Sequence, residues 1–156
     1  MNRSGLAVIG AITATALIAT GCSSSEDEGT PSACPAEPSE YRAALAGAPG
    51  EVRLEDDTPI SDCLVPDQSG GDLAQVGESM VEAATTLNVE ARTDPTGAAA
   101  VQLGYLVGAV ERGSEGIHAD LVRRLNTAAR FSPEGLLPPE FERTFGQGYA
   151  AGLESG

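Results

Sequence analysis

From Asp72 onward, apolar side chains recur at three- and four-residue steps. Leu73, Val76, Met80, Ala83 or Ala84 and Leu87 fall on one helical face and Glu78, Glu82 and Thr86 on the other, which predicts an amphipathic helix ending near Ala91. Thr93-Asp94-Pro95-Thr96-Gly97 breaks the pattern, with Pro95 at a permitted helix start. Ala98 to Val110 is apolar nearly all round, with Gln102 its only polar side chain, as expected of a central buried helix. Gly104 and Gly108 share one face of it, where a neighbouring helix can approach closely. A third run, Glu115 to about Phe131, follows a candidate cap at Ser114 and turns Ile117, Leu121, Val122, Leu125, Ala128 and Ala129 inward.

Ser132-Pro133-Glu134-Gly135 and Pro138-Pro139 mark a connection. The final helix starts near Pro139 and carries Phe141, Phe145 and Tyr149 at i, i+4 spacing, flanked by Gly146, Gly148 and Gly152. Earlier in the chain only Ser39 to Ala46 reads helical, with Tyr41 and Leu45 on one side, and Val52-Arg53-Leu54 is the one short strand candidate. The predicted fold class is therefore all-α: a small bundle of about four helices. Its core is expected to include Leu73, Val76, Met80, Val101, Tyr105, Leu121, Leu125, Phe141, Phe145 and Tyr149.

The first residues follow a different rule. Arg3 is followed by Leu6 through Ile18, an apolar run of thirteen interrupted only by Gly and Thr. That suits the core of an export signal and is too short for a membrane span, which takes about 20 residues. Leu17-Ile18-Ala19-Thr20-Gly21-Cys22 resembles the lipobox of bacterial lipoprotein signal peptides, in which small residues precede an obligatory Cys. The resemblance covers residues 1–22, with Ala19 standing where that family usually has Leu. It implies a diacylglyceryl group on the Cys22 thiol, cleavage after Gly21, and Cys22 as the new N-terminus on the outer face of a cell membrane, or of an outer membrane where there is one. The domain boundaries that follow are a signal peptide over 1–21, a linker over 22–33 and one helical domain over 34–156. The linker, Ser23 to Ser32 with Glu26-Asp27-Glu28 inside it, has no large apolar side chain to offset the entropy of ordering it.

With Cys22 given to lipid, Cys34 and Cys63 remain as one pair in an exported and potentially oxidising setting, and a disulfide is expected between them. Two free thiols or part of a metal site are the alternatives. The bridge would close a loop of 28 residues in a segment, 31–66, that holds six of the ten prolines and few large apolar residues.

Charge and composition narrow the chemistry. The 156 residues carry 23 acids and 9 bases, every base an Arg. Loss of Arg3 on cleavage moves the net charge from −14 to −15. Absence of Lys excludes Schiff-base and phosphate-loop lysines, and the acidic balance excludes a nucleic-acid partner. Glu115-Gly116-Ile117-His118 has the Glu-x-x-His spacing of dimetal bundles, but such a site needs two of these motifs and His118 is the only His. A solvent-facing His118 is the expectation, and His118-Asp120 do not suit a triad.

Glu55, Asp56, Asp57, Asp62 and Asp67 offer oxygen ligands but not the ordered calcium loop, so they read as a solvated acidic stretch. Catalytic residues, metal and cofactor are all expected to be none. Arg112, Arg123, Arg124 and Arg130 form a candidate patch for an anionic wall polymer, lipid headgroup or acidic partner, or else simply answer Asp120 and the helix dipole. The functional expectation is a lipid-anchored envelope protein, a non-enzymatic binding or interaction module. A structural or accessory subunit of a membrane complex is the alternative, and a metal-dependent enzyme a more distant one.

Overall fold

A computed structural model describes residues 29–130 and 137–156. The expected signal segment, Cys22, the acidic triplet and the Ser132-Pro133-Glu134-Gly135 connection lie outside those residues. Five α-helices are present: α1 (Pro38–Leu45), α2 (Gly70–Thr93), α3 (Ala98–Ser114), α4 (Ala119–Ala128) and α5 (Pro139–Ser155). Two short 3₁₀ turns, Glu55–Asp57 and Ile60–Cys63, sit between α1 and α2, and no strand occurs among the described residues. The all-α class is thus the observed one. Val52 and Leu54 do alternate inward around Arg53, but they have no strand to pair with.

Each helix forms for local reasons and is placed by its buried stripe. Ser69 caps α2, its hydroxyl accepting from the Asp72 amide at 3.1 Å. Val76, Met80, Ala83, Ala84, Leu87 and Ala91 then turn inward. In α3, every residue from Leu103 to Val110 is buried, so it is the central helix that the others surround. Val101 stays half-buried.

The α3–α5 pair is held by backbone proximity. A Cβ on Gly148 would lie 2.9 Å from the Tyr105 amide nitrogen, and one on Gly152 2.9 Å from that of Ala109. Reciprocally, a Cβ on Gly104 would lie 2.9 Å from the Tyr149 nitrogen, and one on Gly108 3.0 Å from that of Leu153. Four glycines thus form a two-sided seam with room for no side chain. The neighbour anticipated for Gly104 and Gly108 is α5. Its aromatic ladder lies beside this seam: Phe141 is buried at 2% exposure, while Phe145 and Tyr149 are half-buried.

The bundle has two distinct ends. Gly29 and Pro31 lie against Ser61, Arg112 and Gly113 at the C-terminal end of α3, and Thr30 reaches Asp72 at the start of α2. The last carbonyls of α5 gather at the same end: Ser61 Oγ donates to Gly156, the Arg112 guanidinium to Glu154 and Arg53 to Ser155 at 3.1 Å. Leu121 of α4 packs over Gly77, whereas Asn88 further along α2 donates to the carbonyls of Ala128 and Arg130 at 2.8 and 2.7 Å. α4 therefore runs alongside α2, away from the end where the chain enters.

One element boundary differs from the sequence reading. Ser114 does not cap a helix running from Glu115; it is the last residue of α3, and its hydroxyl returns to the Glu111 carbonyl at 2.9 Å. Glu115, Gly116 and His118 all have positive φ, at 40°, 87° and 52°, so the chain turns there and α4 starts only at Ala119. Glu115, left-handed at the end of α3, stops the helix there, just after Gly113, where a Cβ would meet the backbone of Ser61.

Candidate functional site

Cys34 and Cys63 are joined, with Cα atoms 5.3 Å apart and both residues fully buried. The bridge ties the Pro-rich segment to the turn Ile60–Cys63, which packs on α3. Tyr41 of α1 supports it from the other side, its buried hydroxyl donating to the Cys34 carbonyl at 2.7 Å. Burial pushes the Tyr41 phenol well above its ordinary range, because the charged form would lose its water. These groups are structural: the thiols are consumed and the phenol is committed to a carbonyl.

Among the described residues, open clefts lie at the surface on two sides of the domain. One, of about 470 Å³, lies beside α1 between Ala36, Ala44 and Leu54, with Glu40, Glu55 and Arg53 at its rim. Arg53 also lies 3.8 Å from Asp57 and 3.9 Å from Glu51. The other, of about 670 Å³, opens where the chain enters the domain. Its walls include Leu64, Val65, Pro66 and Ile117, and its charges are Arg112, Asp62 and Glu115. No groove separates α5 from α3, since their backbones meet at the glycine seam.

The four arginines lie on different elements: Arg112 on α3, Arg123 and Arg124 on α4, and Arg130 just after it. Arg112 stands at the chain-entry end, bonded to the Glu154 carbonyl. Arg123 pairs with Asp120 three residues before it, and Arg130 lies at the opposite end, where its carbonyl accepts from Asn88 and Arg92. Arg124 is exposed on α4. Nor do Glu115 and His118 share a helix face, as a metal-binding Glu-x-x-His requires, because both occupy the α3–α4 turn. His118 is half-buried instead of solvent-facing, with Nε2 3.0 Å from the Val65 carbonyl. Among the described residues, no three His, Cys, Asp or Glu side chains are grouped to hold a metal ion.

Sequence reading missed the Tyr149–Glu111 pair, in which the phenol donates to the carboxylate at 2.6 Å. This hydrogen bond, with some burial and the nearby negative charge, raises the Tyr149 pKa. Residues 38 apart in sequence carry no local signal of it. Among the described residues, no helix is long and apolar enough to cross a membrane. Comparison of the chain with protein-family models, curated proteins and solved structures finds no match.

Proposed function

We propose that the chain is a lipid-anchored protein of the bacterial envelope, held on the outer face of the membrane by a diacylglyceryl group on Cys22. Its helical domain serves as a non-enzymatic binding or interaction module. The observation that carries this reading is the apolar run Leu6–Ile18 leading into Leu17-Ile18-Ala19-Thr20-Gly21-Cys22, directly before an acidic, apolar-poor linker and a small folded domain. Two acyl chains, at about 0.8 kcal/mol per buried CH₂, give firm attachment where one chain would not. The disulfide supports export, since such bonds persist outside the reducing cytosol. Fractionation tests the reading. Wild-type protein is expected with membranes and Cys22→Ser in the soluble exported fraction; a Cys22→Ser protein that stays on membranes refutes the anchor.

One observation favours the accessory-subunit reading of the domain. The edge formed by Phe145, Tyr149 and Leu153 is partly open, with Leu153 40% exposed, while the α3–α5 interface offers no ligand groove. A photo-crosslinking residue at Leu153 should then capture a membrane protein in the native host, and a probe that labels nothing there argues for the small-ligand module.

A further inference from the structure

Resting on the Cys22 anchor, the length of the tether limits how far the point where the chain enters the domain can sit from the bilayer. Seven residue steps separate Cys22 from Gly29, a length of chain that can reach at most about 25 Å. Gly29 and Pro31 sit at the end of the bundle that holds the α3 C-terminus, the α2 N-terminus and the last turn of α5. From that end α3 and α2 extend about 26 and 36 Å, at 1.5 Å per residue. A tether of that length keeps the chain-entry end within about 25 Å of the bilayer, whereas the Asp94–Gly97 loop lies at the far end of α2 and α3.

The same end carries the 670 Å³ cleft. Its apolar walls, Leu64, Val65, Pro66 and Ile117, suit the boundary between headgroups and acyl chains. Its charges are mixed: one guanidinium, Arg112, with two carboxylates, Asp62 and Glu115. An anionic headgroup would be repelled by the carboxylates and by the acidic domain as a whole. A headgroup bearing both phosphate and ammonium matches each sign, phosphate on Arg112 and ammonium on Asp62 and Glu115. From this we infer that the cleft end docks on the membrane in which Cys22 is anchored, taking the headgroup of a zwitterionic aminophospholipid.

The chain has no Trp, so single introduced tryptophans report depth. Pro66→Trp places one on the exposed rim of the cleft, and Val89→Trp places one on the outer face of α2, where Val89 is 61% exposed. Both are made in the full-length lipidated protein, which is reconstituted into phosphatidylethanolamine vesicles with brominated acyl chains. Emission at position 66 should be quenched several-fold more than at position 89; equal quenching, or stronger quenching at 89, overturns the docking. Exchanging phosphatidylethanolamine for phosphatidylglycerol, or Arg112 for Gln, should relieve quenching at 66 while the protein still floats with the vesicles. Quenching unchanged by either exchange overturns the headgroup assignment. A protein that does not float with vesicles refutes the anchor itself, whereas one that floats but stays bright at 66 refutes only the docking.

Discussion

Gly148 of α5 lies against Val101 of α3 so closely that a Cβ on the glycine would overlap the Val101 carbonyl oxygen. The overlap is with backbone, which has no rotamer to escape into. Gly148→Ala must push α5 off the central helix, and overpacking of this kind destabilises by roughly 1–3 kcal/mol. Gly146, two residues earlier, is the control. It is exposed, with nothing within 4 Å of its would-be Cβ, so Gly146→Ala should stabilise by up to about 1 kcal/mol through helix propensity. Thermal unfolding followed by circular dichroism separates the two, and equal shifts would contradict the seam.

The bridge between Cys34 and Cys63 closes a 28-residue loop in a Pro-rich segment with few large apolar side chains. The loop-entropy model assigns it roughly 3–4 kcal/mol. Denaturant unfolding with and without reductant should show a loss of that order. Tyr41→Phe leaves the buried Cys34 carbonyl without its donor and should lose about 1–3 kcal/mol in the oxidised protein. A neutral Tyr41→Phe would mean the hydroxyl does not hold the bridge region to α1.

Two tyrosines give the fold an alkaline limit. Burial raises the Tyr41 pKa, and the hydrogen bond to Glu111 raises that of Tyr149. For each, the folded state holds the phenolic proton more tightly than the unfolded chain, whose phenols titrate near about 10. The stabilising contribution is therefore complete below that pH and is lost as pH rises through the folded-state values. Guanidinium unfolding at successive pH values above 9 should show falling stability. Tyr41→Phe should flatten that fall, with Tyr149→Phe giving a smaller effect because its ring is partly exposed. An unchanged slope in Tyr41→Phe would exclude it as the source.

Much of this fold was legible because its helices are strongly periodic: the segments predicted from Asp72, Ala98 and Pro139 start within two residues of α2, α3 and α5. What escaped was not set by periodicity. Ser114 looked like a cap, but the chain turns left-handed at Glu115 and leaves Ser114 as the last residue of α3. The aromatic ladder read as core, yet the glycines took the centre of the interface and left Phe145 and Tyr149 at its edge. Phe141→Ala should therefore cost about 3–5 kcal/mol and Phe145→Ala distinctly less, by the same unfolding measurement. The arginines are close in sequence from 112 to 130, but the α3–α4 turn puts Arg123 and Arg124 on a different helix from Arg112, which spacing alone does not reveal.

The proposed anchor on Cys22 underlies the proposed address and the proposed docking of the chain-entry cleft. Mass spectrometry of the N-terminal peptide, isolated from membranes of the native host, examines it without any substitution. A peptide that begins at Cys22 and carries the mass of a diacylglyceryl group is the expected result. An unmodified Cys22, or a mature chain beginning elsewhere, would contradict it.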